Sequence, residues 1–330
     1  MPYEHALQAV DLRKSYPAGK GADPVRALDG LSFAVARGTV FGLLGPNGAG
    51  KSTTVKIMST LSRADSGTAT VAGVDVAADP VGVRRRIGLV SQKPSSDPMA
   101  TGRENLVLAG RIQGLAKSEA HERATWLLGR FGLADAADRL VRTWSGGMSR
   151  KLDVAIGLVH KPEVLFLDEP TTGLDPEARA EMWAEIARLA GDDEMTVLLT
   201  THYLDEADRL AHRLAIVDHG QVKAEGTPEE LKSELRGDAV VVEVTSPADA
   251  VLATPLVSGL AGLSDVLVDG TTLRARAESG ARAVPAVFAA LDDAGIIVAS
   301  ATVARPSLDD VYLRYAGRAY AAAELEEVAR

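Results

Sequence analysis

The sequence predicts an α/β chain: a mainly parallel sheet beside a small antiparallel one, then a separate α+β unit. Three observations carry this reading. Residues 1–230 alternate helical patterns with near-continuous apolar runs, as strands buried on both faces of a parallel sheet do. The opening segments alternate apolar and polar residues instead, the mark of strands with one wet face. Past about Ser233 the order becomes strand, helix, strand, strand, helix, strand.

Residues 7–13 and 31–35 read as strands of the small antiparallel sheet. VFGLLG (40–45), RIGLVSQ (86–92), VLFLDE (164–169), TVLLTTH (196–202) and LAIVDHG (214–220) read as the buried parallel strands. The helices between them have readable starts. Asp175-Pro176 ahead of EARAEMWAEIARLA supplies an N-cap and a proline at the first helical position. Thr227-Pro228-Glu229-Glu230 ahead of LKSEL reads as a capping box. The second unit then runs through VVVEVT (240–245), a helix near 248–260, DVLVD (265–269), TLRARAE (272–278), a helix near 281–294 and IIVASATV (296–303). This βαββαβ order is that of a ferredoxin-like unit. A last helix, PSLDDVYLRYAG, starts with Ser307 and Asp310 at capping-box spacing. The final AYAAAELEEVAR reads as a solvated helix or a frayed end. The expected domains are 1–232 and 233–318, with a tail at 319–330.

At 330 residues, 46% hydrophobic and 25% charged, the chain can form a sizeable core. Its net charge of -9 argues against a nucleic-acid partner held by a broad basic surface. With no cysteine there is no disulfide, iron–sulfur cluster or cysteine-ligated zinc, and the six histidines show no metal spacing. The N-terminus has acidic residues and no apolar centre, so no signal peptide is expected. No stretch approaches the roughly 20 apolar residues that span a bilayer. The expectation is a soluble chain that reaches a membrane only through another subunit.

Gly45-Pro46-Asn47-Gly48-Ala49-Gly50-Lys51-Ser52 fits G-x-x-x-x-G-K-[ST] between an apolar strand and a helix, the context that pattern requires. Its glycines let backbone N–H groups turn inward on a phosphate, and the helix N-terminus adds positive potential. Lys51 reaches the β/γ-phosphates, and the Ser52 hydroxyl holds Mg²⁺. Asp168 ends a buried strand at the crevice where α/β sheets bind ligands, and there it can hold Mg²⁺ through water. Glu169 follows it and is placed to orient and activate water.

A second glycine-paired cluster, TWSGGMSR at 143–150, precedes another apolar helix. Ser145 and the Gly146 and Gly147 amides put a hydroxyl, N–H donors and a helix dipole at one point. One chain needs a single γ-phosphate site. Either this loop caps a nucleotide held by another chain, or it is a plain Ser-Gly-Gly turn. A one-site kinase or GTPase does not explain it, and the guanine-reading Asn-Lys-x-Asp is absent.

Over residues 1 to about 230 the chain resembles an ATP-binding cassette (ABC) subunit. Ser145-Gly146-Gly147 is similar to the LSGGQ signature, with Trp144 for Leu and Met148 for Gln. The resemblance implies a P-loop NTPase fold with a helical subdomain, and a dimer in which Ser145, Gly146, Gly147 and Met148 act in trans. It makes Gln92 the Q-loop glutamine, near Mg²⁺ and water and facing the membrane subunit. It makes Asp175 the D-loop aspartate, His202 the switch histidine and Tyr16 the aromatic that stacks on adenine. Thr53 joins the cradle. The residues IGLVSQKPSSDPMATGRENL, EPTTGLDP and PSLDDVYLRYAG are most similar to the daunorubicin-resistance type of bacterial ATP-binding subunit.

The resemblance implies ATP binding and hydrolysis with Mg²⁺, with Glu169, His202 and Gln92 catalytic. The expected dimer, of identical or similar chains, drives a multi-span permease from the cytoplasmic face of the membrane, exporting a drug-like or lipid substrate. An importer ATPase is the alternative, as is a soluble ABC ATPase of DNA repair or translation. Only about ninety residues separate cradle and signature, without heptads, and the chain holds one cassette, which disfavours the soluble alternatives.

Overall fold

The structure is a computed structural model and describes residues 4–17, 23–191, 195–235 and 237–316. The expected tail at 319–330 lies outside the described residues. The chain divides into two units, Met1–Thr227 and Pro228–Arg330, so the division falls ahead of the 232–233 boundary expected from the sequence.

In the first unit the strands β1 (Leu7–Tyr16), β2 (Val25–Val35), β4 (Ser66–Val71) and β5 (Val74–Asp75) form an antiparallel sheet in the order β2-β1-β4-β5. The strands β3 (Val40–Leu44), β6 (Ile87–Val90), β7 (Val164–Asp168), β8 (Thr196–Thr201), β9 (Arg213–Asp218) and β10 (Gln221–Gly226) form a second sheet. Its order is β10-β9-β3-β8-β7-β6, parallel except for the antiparallel edge pair β9–β10. The expected mainly parallel sheet and small antiparallel sheet are both present. The sequence reading did not find β4, whose SGTATV lacks a large apolar residue before its last position, or the short β5 and the edge strand β10.

Helices α1 (Lys51–Met58), α2 (Pro80–Arg84), α3 (Gly102–Ile112), α4 (Lys117–Arg130), α5 (Gly146–Gly157), α6 (Pro176–Gly191) and α7 (Leu204–Leu210) connect these strands. The parallel sheet is buried on both faces because its side chains alternate between two cores. Leu165, Leu167, Val197 and Leu199 pack with Leu106, Leu127, Leu152 and Ile186 of the helices. Val164, Phe166 and Leu198 pack with Ile57 of α1 and with Leu7, Leu31 and Phe33 of the small sheet. Every residue of β3, β7 and β8 is buried, as their apolar runs predict. Asp168, Thr200 and Thr201 place polar groups at the C-terminal ends of β7 and β8, where open parallel sheets bind ligands.

The second unit contains α8 (Pro228–Ser233), β11 (Asp238–Val244), α9 (Pro247–Ser258), β12 (Leu263–Asp269), β13 (Thr272–Ala277), α10 (Gly280–Asp293), β14 (Val298–Ala304) and α11 (Leu308–Ala316). Its sheet is antiparallel in the order β12-β13-β11-β14, the split arrangement of a ferredoxin-like βαββαβ. Val240, Val242, Val244, Leu273 and Ala275 point from one face onto Ala250, Ala253 and Val257 of α9 and Val287 and Leu291 of α10. The Ser307–Asp310 box closes as its spacing predicts: Ser307 N donates to Asp310 Oδ2 at 2.9 Å and Asp310 N to Ser307 Oγ at 3.2 Å. Among the described residues no helix is long and apolar enough to cross a membrane.

Candidate active site

β3 stops at Leu44 and α1 begins at Lys51, so Gly45 to Gly50 form the turn between them. A side chain at Gly45 would put its Cβ 2.2 Å from the Val217 carbonyl oxygen. Gly50 has φ 109°, and its Cβ would lie 2.6 Å from the Ala27 carbonyl oxygen. Only glycine fits either place. Gly50 caps α1 without a side chain, and no acidic residue occupies the first turn. The first amides and the positive helix end are therefore left for an anion.

Lys51 is buried at 4% exposure, and its Nζ donates to the carbonyls of Gly45 (2.6 Å) and Pro46 (2.9 Å). The same amine lies 3.8 Å from Glu169 Oε1. Ser52 Oγ donates to Asp168 Oδ1 at 3.1 Å, bringing a hydroxyl from α1 against the end of β7. Those two oxygen donors are the type a hard divalent cation such as Mg²⁺ takes.

Glu169 is the centre of the cluster. Its φ of 49° is left-handed, which costs a non-glycine residue on the order of 1–2 kcal/mol. Its N–H is shared by the carbonyl and the hydroxyl of Thr200, both at 3.1 Å. Its Oε2 accepts from Gln92 Nε2 at 3.1 Å and from Thr172 Oγ1 at 3.3 Å. His202 Nδ1 lies 3.3 Å from the same oxygen but off the line of a hydrogen bond. Burial pushes the Glu169 carboxyl up, but His202, Lys51 and Thr172 outweigh it and hold it below the ordinary carboxylate range. It is ionised at neutral pH.

Gln92 follows β6 in a loop rather than ending the strand, because β6 stops at Val90. Asp175 caps α6, its Oδ1 accepting from Ala178 N at 2.8 Å. Tyr16 closes β1 with 36% exposure, and the Lys14 ammonium sits 5.5 Å from its ring centre. Ser145 is the N-cap of α5, accepting from Met148 N at 3.2 Å. Ser145 and Gly146 are exposed, while Gly147 and Met148 are half-buried. A Cβ on Gly146 would meet nothing within 4 Å, whereas one on Gly147 would lie 2.9 Å from Ala178 Cβ. Trp144 is accommodated in place of leucine because Gly102 yields room: a Cβ there would lie 2.3 Å from the indole.

Three supporting residues escaped the sequence reading. Thr200 Oγ1 donates to Asp168 Oδ1 at 2.6 Å. Thr172 bonds Glu169. Arg150, 8% exposed on α5, donates to the carbonyls of Ser91 (2.7 Å) and Pro170 (2.8 Å) and, at 3.3 Å, to those of Asp168 and Glu169. Three residues along, Asp153 accepts from Ser95 N, Ser95 Oγ and Ser96 N, each at 3.0 Å. Together Arg150 and Asp153 grip both sides of the Gln92 loop. A buried Arg and Asp at i, i+3 beside Val154 and Gly157 was the available signal.

The profile of the family described as "ABC transporter" matches residues 28–172, and that of "ATP-binding protein DrrA1-3-like, C-terminal domain" matches residues 226–316. The daunorubicin resistance ATP-binding protein DrrA2 of Streptomyces coeruleorubidus is 47% identical over 98% of this chain and 99% of its own. The linearmycin resistance ATP-binding protein LnrL of Bacillus subtilis is 36% identical over 94% and 98%. Among solved structures, cbiO1 of Clostridium perfringens, part of an ABC transporter complex, aligns with TM-score 0.63 at 26% identity, over 70% of this chain and 92% of its own. A bacterial ABC transporter cassette solved as a dimer shares the fold at TM-score 0.61 and 24% identity, over 67% and 98%. The chain belongs to the ATP-binding subunits of ABC transporters, in the daunorubicin-resistance group, and is an ATPase.

Proposed function

We propose that the chain binds ATP with Mg²⁺ in the 45–53 cradle and hydrolyses it with water oriented by Glu169. The observation that carries this reading is the convergence of Lys51, Gln92, Thr172 and His202 on one ionised carboxylate at the end of β7. Lys51 supplies fixed positive charge beside the open amides of α1, and Ser52 and Asp168 hold the metal, with Gln92 near it. Mg²⁺, when bound, neutralises the developing phosphate charge. Glu169 takes the water's hydrogen bond, orienting and polarising it. Gln92 and Thr172 fix the carboxylate's rotation, and the His202 ring lies against the same edge. Tyr16 offers its exposed ring to the adenine.

The signature loop 145–148 acts on the nucleotide of a second, identical or similar, chain, which the exposure of Ser145 and Gly146 supports. Asp175 sits at the same dimer face while capping its helix. The dimer drives a separate multi-span permease from the cytoplasmic face of the membrane, and the drug-resistance names of its relatives support export of a drug-like substrate. The division near residue 228 is proposed as a true domain boundary, with the βαββαβ unit an accessory domain.

Lys51→Ala tests the reading. Loss of ATP hydrolysis together with a sharp fall in nucleotide affinity is expected, since the phosphates lose a fixed cation at the cradle. Unchanged turnover removes the site assignment.

A further inference from the structure

We propose that the Thr200 hydroxyl is a positioning group for the metal-holding carboxylate, setting the aim of Asp168 and, through the neighbouring backbone, of Glu169. The inference rests on the reading above that Asp168 holds Mg²⁺ and adds a residue that reading does not use. β7 and β8 pair in parallel with Asp168 opposite Thr200, so the hydroxyl meets the carboxylate through strand register. A hydroxyl has one proton to give and lone pairs to receive. Here the proton goes to Asp168 Oδ1 at 2.6 Å, and the oxygen accepts the Glu169 N–H at 3.1 Å. Thr200 is fully buried, so water cannot replace it.

Asp168 Oδ1 has a second donor, Ser52 Oγ, at the longer distance of 3.1 Å. That hydroxyl is also the one assigned to the metal, so its hold on Asp168 is shared. The hold of Thr200 is not. Glu169 keeps the Thr200 carbonyl as an acceptor even without the hydroxyl, so the loss falls first on the carboxylate. Valine has nearly the shape of threonine and neither the proton nor the lone pairs. It separates packing from hydrogen bonding at this position.

The experiment uses the purified full-length chain and a fluorescent methylanthraniloyl-ATP, with affinity measured in excess Mg²⁺ and in EDTA. Thr200→Val is expected to bind within about twofold of the natural chain in EDTA and to lose about tenfold of the tightening that Mg²⁺ provides. Thr200→Ser, which restores the hydroxyl and omits the methyl, is expected to stay within about twofold in both conditions. Thr200→Ala stands in if the valine chain does not fold, with the valine result expected. Asp168→Asn in parallel separates the two claims. If it loses the Mg²⁺ tightening while Thr200→Val and Thr200→Ala keep it, the positioning role is overturned. The role also falls if Thr200→Ser loses as much as Thr200→Val. Undiminished tightening in Asp168→Asn overturns the metal-site reading itself, and the Thr200 proposal with it.

Discussion

Arg150→Met should unfold the first unit far more easily while leaving helix α5 itself intact. The guanidinium is buried, and burial pulls its pKa down against Asp153, Asp168 and Glu206, which raise it; it stays charged. Its two short bonds, to Ser91 and Pro170, are charge-assisted and stabilise by about 1.5–3 kcal/mol each. The two bonds at 3.3 Å add little. Methionine recovers the cost of burying the charge but strands carbonyls and leaves Asp153, 2% exposed, without its nearby cation. The net loss is about 3–5 kcal/mol, as for one partner removed from a buried pair. For a unit of this size that is a fall of roughly 10 °C in Tm. Trp126, Trp144 and Trp183 all lie in Met1–Thr227, so tryptophan fluorescence in urea follows that unit alone. Arg150→Lys keeps the charge but not the fork, and should lose about half as much. A loss under about 1 kcal/mol in Arg150→Met refutes the view that this side chain holds the Gln92 loop and the Glu169 turn together.

The buried Glu206 gives a pH prediction. Burial raises its pKa, Asp205 adds to that, and hydrogen bonds from Thr201, Thr171 and Trp183 lower it without cancelling the rise. The folded chain then keeps this proton above the ordinary value near 4.5, so its contribution is full at low pH and shrinks as pH rises, by at most about 1.4 kcal/mol per unit. Glu206→Gln, titrated from pH 5 to 8 by urea midpoint, should gain on the natural chain as pH rises; parallel curves contradict the assignment. Cutting the chain after Thr227 should leave ATP binding within about twofold, because the βαββαβ unit has its own core. Ending at 235 instead keeps α8 with Leu231 and Leu235, both buried in the full chain, and should lower solubility. A 1–227 chain that no longer binds ATP defeats the two-domain division.

What the sequence disclosed follows from how local each feature is. The cradle was legible because glycine spacing, strand and helix lie within a dozen residues. Asp168 and Glu169 were legible because they adjoin an apolar run. The second unit could be ordered because alternating strands and capped helices admit few topologies. Thr200 was not found: its role exists only once β7 and β8 pair in register. Arg150 lay inside the quoted TWSGGMSR, yet its carbonyl partners come from loops after β6 and β7. The strand β4, small and polar, carries no periodic signal, and the small sheet is held instead by its pairing with β1.

The composite site is the central claim, and an ATP-trapped dimer tests it most directly. Glu169→Gln keeps the side chain's reach and removes the carboxylate that polarises water, so ATP should accumulate between two chains. Gly146→Asp on that background, at an exposed position where a Cβ meets nothing within 4 Å of its own chain, adds bulk and negative charge at the signature loop, at each of two equivalent bridges. Size-exclusion chromatography with ATP and Mg²⁺, repeated with the membrane subunit present, should show Glu169→Gln as a dimer and the double variant as a monomer. If the double variant dimerises with ATP as fully as Glu169→Gln, the Ser145–Gly147 loop is only a turn and the account fails.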